Sequence, residues 1–211
     1  MRDNPRLVIR CSPSDVKVDG RKVVPAALVY LALHKPPGHV CTSSDPRGRL
    51  KAVDLVPRDK GRLYTVGRLD AASEGLILLT NDGEFAHRMM HPRHGITKTY
   101  ELWLTEPLSP LDVRRWQAGI EDGGENLAVL ELEAFASGKA GHGYRVRLGE
   151  GRNRHLRRMA ACSGKKVCRL VRVAVGPVAL GNLKRGAWRV LTSTELDALR
   201  RASSPAPGGA V

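Results

Sequence analysis

Apolar stretches in this chain are short, and several of them alternate, a pattern that favours strands over long helices. Lys98-Thr99-Tyr100-Glu101-Leu102-Trp103-Leu104 has a period of two, which places Lys98, Tyr100, Leu102 and Leu104 on one face. Tyr144 to Leu148 alternates with Tyr144, Val146 and Leu148 inward and Arg145 and Arg147 outward. Leu28 to His34, Leu63 to Val66, Leu76 to Thr80, Leu127 to Phe135 and Val167 to Val173 read as further strands. Turn signals such as Pro36-Pro37-Gly38 and Asn81-Asp82-Gly83 separate them, and Cys41 to Gly48 reads as an exposed loop. Asp15 to Lys22 suggests a small hairpin turning at Asp19-Gly20.

Helical signals are fewer. A short helix runs from about Glu84 to Met90 and stops at Pro92, and Ser109-Pro110-Leu111-Asp112 is a strong start for another, which Gly119 ends. Asn153 to Ser163 forms a third, and Thr192-Ser193-Thr194-Glu195 caps a last one. The expected class is a strand-dominated α+β fold without regular βαβ alternation. Ala202 to Val211, rich in Pro, Gly and Ser, reads as a disordered tail.

Charge narrows the function. The 211 residues carry 35 Lys plus Arg against 21 Asp plus Glu, a formal net charge of +14, which points to a polyanionic partner. From Arg145 to Arg172 there are ten basic residues and one acid, a local charge of +9, whereas Thr105 to Glu133 sums to −5. One face on a phosphate backbone and another in water is the expectation. Aromatic content of 4% argues against an extended base-stacking platform. The four cysteines form no CxxC pair, and no signal peptide or membrane-spanning run is apparent, so a reduced, cytoplasmic protein is expected.

Several chemistries are disfavoured. His87, His91 and His94 invite a metal reading, but His87-Arg88-Met89-Met90-His91 lacks the glutamate of a zinc protease, so no metal site is assigned. Without a GxGxxG, GxxxxGK[ST] or GxSxG motif, a nucleotide-cofactor enzyme and a serine hydrolase are disfavoured, and side chains must do any chemistry. Asp70, on a tight loop between two apolar runs, is either a fixed carboxylate facing a cleft or a turn residue capping its own loop. A pair with Glu74 would suggest glycosidase chemistry, although Gly75 implies a turn there. Arg154, Arg157 and Arg158 sit at offsets of three and four and would share a helix face. From there a guanidinium either clamps phosphate or keeps a buried carboxylate ionised.

Together these residues resemble a known family. Gly67-Arg68-Leu69-Asp70, Ser73-Glu74-Gly75-Leu76 and Leu79-Thr80-Asn81-Asp82-Gly83 look like the signature of the bacterial pseudouridine synthases that modify small- and large-subunit ribosomal RNA. His34-Lys35-Pro36-Pro37-Gly38, His91-Pro92-Arg93, Lys98-Thr99-Tyr100 and Gly151 to Met159 resemble its other motifs in order. So do Arg169-Leu170-Val171-Arg172 with Gly176, and Gly186-Ala187-Trp188-Arg189. The likeness spans about residues 28–200.

The resemblance implies a mixed, mainly antiparallel sheet bent around a central catalytic cleft, in two subdomains. Residues 28–201 would be the catalytic domain, 202–211 the tail, and 1–27 a remnant in which Ser14 to Val23 resembles the end of an alpha-L RNA-binding domain. Either this member lacks that module or its start is truncated; RNA affinity would then rest on the catalytic domain. The implied reaction is cofactor-free isomerisation of one uridine in ribosomal RNA, free or in partly assembled subunits, by a monomer. Asp70 matches the aspartate that either attacks the anomeric carbon or takes the neighbouring ribose proton. Tyr100 matches the tyrosine packed on the target base, and Arg157, with Arg154 as the second choice, the partner of the aspartate. Arg68 resembles the arginine that enters the RNA stack, and Lys98, Arg152, Arg154, Arg158, Lys165 and Lys166 would hold the backbone. The alternative is a non-catalytic ribosomal-RNA-binding or assembly factor on the same fold, which would have no need of Asp70, Tyr100 and Arg157 together.

Overall fold

The computed structural model describes residues 17–18, 20–22, 26–138 and 141–203. In chain order the elements begin with β1 (Lys17–Val18), β2 (Arg21–Lys22), β3 (Tyr30–Lys35), β4 (Tyr64–Val66), β5 (Glu74–Thr80) and α1 (Gly83–Met90). They continue with β6 (Lys98–Leu104), α2 (Pro110–Ala118), β7 (Ile120–Asp122), β8 (Glu125–Leu127), β9 (Glu131–Gly138) and β10 (Gly141–Leu148). The last are α3 (His155–Cys162), β11 (Val167–Val175), β12 (Val178–Ala179), β13 (Trp188–Val190) and α4 (Ser193–Ala202). The α+β class holds: one nine-stranded sheet runs β13-β3-β5-β11-β6-β10-β9, with β4 added to β5 and β12 to β11.

Every strand pairing in that sheet is antiparallel except β5 with β11, where Glu74 faces Val171 and Gly75 faces Arg172. This pairing shapes the cleft. One edge of β5 is occupied by β3 from Gly75 to Thr80. The other edge is shared, with β11 at Glu74–Gly75 and β4 at Leu78–Thr80. Between those two partners the sheet parts, and Val66 of β4 and Arg172 of β11, on either side of the gap, both line the cleft. A carbonyl left without a strand partner inside a protein needs another donor. Leu76 supplies the case: its carbonyl accepts from Arg172 Nε at 2.7 Å.

Alternation along the strands builds a core on both faces of the sheet. On one face Leu31, Leu33, Ile77, Leu79, Leu102, Leu104 and Val146 pack with Trp116 of α2 and Leu156 and Met159 of α3. On the other, Tyr30, Ala32, Leu76, Leu78, Val171 and Val175 pack with Phe85 and Met89 of α1 and Leu199 of α4. Capping fixes where helices start. Ser109 and Asp112 form a reciprocal capping box on α2, and Thr192 with Glu195 does the same on α4.

Three local expectations are corrected. Leu127 to Phe135 is not one strand: β8 ends at Leu127 and β9 begins at Glu131, because Val129 N–H turns to donate to Trp116 O at 2.9 Å. The helix expected over Asn153 to Ser163 is α3, which starts only at His155, since Arg154 is left-handed at φ 51° and ψ 30°. Gly75 marks no turn; it lies within β5, and Glu74 is the first residue of that strand. The hairpin expected near Asp19-Gly20 is present as the β1–β2 pair, with Lys17 opposite Lys22. Asp15, Val16 and Asp19, and the tail from 204 to 211, lie outside the described residues.

Candidate active site

Asp70 sits on the loop that carries the chain from β4 into β5. Three cationic side chains hold the carbonyls of that loop. Arg172 Nη1 donates to Arg68 O at 3.4 Å, Lys35 Nζ to Ala71 O at 3.4 Å, and Arg157 Nη2 to Ala72 O at 3.3 Å. Lys35, fully buried, also donates to Pro36 O and His39 O, both at 2.9 Å. Leu69 N–H donates to Cys41 Sγ at 3.3 Å, and Ser73 N–H to the Asp70 carbonyl at 3.0 Å. The Asp70 backbone is thereby fixed from several directions without using its carboxylate.

The carboxylate faces a cavity of about 390 Å³, in the size range of pockets that take small ligands. The lining includes Val66, Arg68, Asp70, Ser73, Lys98, Tyr100, Arg152, Arg154 and Arg172. The Asp70 side chain is 27% exposed, and Arg157 Nε lies 4.0 Å from its Oδ2. Arg157 is behind the loop and does not line the cavity; its Nη2 also reaches Ser73 Oγ at 3.4 Å. Burial first and Arg154 second lower the Arg157 pKa, and Asp70 pulls it back up. A guanidinium so placed keeps its charge at any physiological pH. Tyr100 is buried, on β6 directly opposite Arg172 of β11. Burial, partly offset by Cys41 and then Asp70, pulls the Lys35 ammonium below the usual lysine value.

Comparison with known proteins decides the family. The sequence model of the RNA pseudouridylate synthase family matches residues 29–162. The chain belongs to this family. An RNA pseudouridine synthase of Mycobacterium bovis is 47% identical over 193 residues, covering 89% of this chain and 75% of the relative. The ribosomal large subunit pseudouridine synthase B of Bacillus subtilis is 36% identical over 198 residues, covering 92% and 81%. A crystal structure of a pseudouridylate synthase superimposes with a TM-score of 0.73 at 31% identity, over 83% of this chain and 75% of that one. As an RNA pseudouridine synthase the protein is an isomerase.

Set within this pseudouridine synthase fold, the basic segment is less free than its formal charge suggests. Arg158 of α3 does not share a face with Arg154. It pairs with Asp122 through Nε and with Glu125 through Nη1, each at 2.5 Å. Arg152 reaches Glu125 at 3.0 Å and Glu150 at 2.9 Å, Arg147 pairs with Glu131, and Lys165 with Glu106 at 3.2 Å. The acidic segment and the basic segment are thus partners, which corrects the picture of two opposed faces. Arg68, Lys98, Arg152 and Arg154 line the cleft; Arg158, Lys165 and Lys166 do not. Arg158→Ala is expected to lower the melting temperature by a few degrees while changing RNA affinity by less than about twofold, read by thermal melting and filter binding.

Two residues of the candidate site, Lys35 and Arg172, stood within the quoted motifs but were given no role from sequence. The available signal was a charged residue inside an otherwise apolar strand, as in Ala32-Leu33-His34-Lys35 and Leu170-Val171-Arg172-Val173. Such residues are rarely buried unless they have bonding work to do. Glu74 follows the same rule. It is 3% exposed and takes Arg169 Nε on Oε1 and Arg185 Nη2 beside Oε2, each at 2.5 Å. Held that way, it is a structural anchor and no partner of Asp70 in glycosidase chemistry.

Proposed function

We propose that the protein converts one uridine of large-subunit ribosomal RNA to pseudouridine, without a cofactor, through Asp70. The observation that carries this reading is the cleft itself. It brings an ionisable carboxylate and a buried tyrosine to one cavity whose lining is arginine-rich, with the Arg157 guanidinium 4.0 Å from the carboxylate outside that lining. The large-subunit assignment draws on the name of the B. subtilis relative.

A paired uridine must leave the stack to enter such a cavity, and unstacking costs a few kcal/mol that protein contacts offset. Arg68, exposed at the cleft, is placed to fill the space the base leaves. Arg152 and Arg154 hold the flanking backbone. Tyr100 packs on the base, and Asp70 acts at the sugar, either by attack on the anomeric carbon or by removing the neighbouring ribose proton. The rearrangement is redox-neutral: a C–N bond is exchanged for a C–C bond, one proton leaves the fifth ring carbon and one is gained at N1. Side chains alone therefore meet its requirements, provided water is kept from the detached base. All the residues involved come from one chain, so a monomer suffices, and the ribosomal substrate implies a cytoplasmic site of action.

The test is incubation with large-subunit ribosomal RNA carrying tritium on the fifth ring carbon of uridine. Release of about one tritium per transcript, with a matching pseudouridine in the digested RNA, is expected. No release from naked RNA or from partly assembled subunits would sink the proposal.

A further inference from the structure

Breaking the bond between uracil and ribose creates a charge that Asp70 cannot stabilise. The electron pair of the C1′–N1 bond leaves with the base, and the detached uracil is an anion with its charge spread over N1 and both carbonyl oxygens. Asp70 is the single carboxylate among the residues lining the cleft, and, esterified to C1′ or carrying the ribose proton, it offers that anion no positive charge.

Two cations in the cleft wall have not yet been given a part in the chemistry of the base. Lys98 is on β6, two residues from Tyr100 and on the same face. Arg172 is opposite Tyr100 on β11, where a register shift between Arg172 and Ala174 interrupts the ladder. Bulges of this kind re-aim side chains beside active sites. Arg172 is 3% exposed, and it donates to two carbonyls, of Leu76 and Arg68, while Nη2 has no protein partner. Among the described residues neither Arg172 nor Lys98 forms an ion pair with a carboxylate. Arg68 and Arg154, the other cleft cations without such a pair, are exposed to solvent, whereas Lys98 is half-buried and Arg172 buried, and Arg152, also in the lining, is paired with Glu125 and Glu150. A buried guanidinium without a counter-charge is costly. Its retention makes sense where an opposite charge arrives during turnover.

We propose that Lys98, backed by Arg172, is the electrophilic wall of the cleft and stabilises the uracil anion while it is detached. The inference rests on the function proposed above and assigns Lys98 to the base, where its sequence motif alone had suggested backbone phosphate. In the step concerned Asp70 either bonds to C1′ or takes the C2′ proton to leave a C1′–C2′ double bond; in both cases the glycosidic electron pair passes to N1, and the positive charges of Lys98 and Arg172 meet it. Afterwards the fifth ring carbon bonds to C1′ as Asp70 leaves C1′ or returns its proton to C2′, the ring carbon then loses its own proton, and N1 gains one. Desolvation first and Arg172 second hold the Lys98 ammonium below its usual pKa, as expected of a cation in a place short of negative charge. Fixed charges in a site closed to water act more strongly than in solution and need no reorganisation when the charge develops.

Single-turnover assays with wild type, Lys98→Met and Lys98→Arg test this on large-subunit RNA transcribed with either uridine or 5-fluorouridine. Fluorine withdraws electrons and makes the departing base a more stable anion. With K98M, loss of uridine at the target should slow about 100-fold while RNA affinity stays within about threefold. On fluorinated RNA the deficit should shrink to about tenfold or less, and K98R should recover most of the uridine rate. A K98M enzyme as fast as wild type would overturn the proposal. So would affinity falling in step with rate, which marks a phosphate contact, or equal deficits on both RNAs, which mark a structural role. Thermal melting checks that K98M folds; if it does not, Lys98→Gln is read in the same assays. Inactivity of the wild-type enzyme would instead count against the proposed function itself.

Discussion

Asp70→Asn is expected to abolish pseudouridine formation, with a fall of roughly four orders of magnitude in the single-turnover rate. Asparagine has nearly the same shape, but it neither attacks a sugar carbon nor takes a ribose proton. The fold should survive, because the loop is held by backbone groups. Ser73 N–H binds the Asp70 carbonyl, and the carbonyls of residues 68, 71 and 72 are held by Arg172, Lys35 and Arg157. RNA affinity should therefore stay within about threefold, as measured by filter binding beside the tritium assay. Equal loss of binding and turnover would assign Asp70 to folding or RNA contact.

The largest expected effect on stability is at Gly75. Its φ is +111°, and a Cβ added there would lie 2.3 Å from the Arg172 carbonyl oxygen and 2.5 Å from the Arg172 nitrogen. Both contacts are with backbone, so no side chain can swing away. Gly75→Val combines a strained backbone conformation with overpacking, for a loss of roughly 3–5 kcal/mol. For a chain of this size the melting temperature should drop on the order of 10 °C. Activity should fall further than the folded fraction alone explains, since the displaced strand carries Arg172 away from the Leu76 and Arg68 carbonyls. A melting temperature within two or three degrees of wild type would show that β11 moves aside freely.

Much of the fold was readable from local pattern. Lys98 to Leu104 is a strand with the expected residues, and its period of two correctly placed Tyr100 with Leu102 and Leu104 in the core. Ser109, Pro110 and Asp112 fixed the start of α2, and Gly119 its end. These features depend on residues within a few positions of one another. What escaped depends on pairing between distant segments. The charge of Arg158 looked available for RNA because Asp122 and Glu125, its partners, are more than thirty positions away. Gly75 looked like a turn because its need for a bare backbone comes from β11, almost a hundred residues on. The left-handed Arg154 broke a helix that its periodicity favoured, and no residue-level preference predicts an arginine there.

The lone parallel pairing, β5 against β11, also bears on when the enzyme can work during synthesis. The Asp70 loop is made early, yet the side chains that hold its carbonyls at residues 68 and 72 belong to Arg172 and Arg157. A ribosome builds the chain from its N-terminus, so a nascent fragment that ends before β11 has the aspartate and the Lys35 and Cys41 contacts to its loop but not the Arg172 one. Full rigidity of the loop is therefore expected only when α3 and β11 dock and Arg157 and Arg172 join Lys35 on its carbonyls, so a partly made chain would hold Asp70 less firmly.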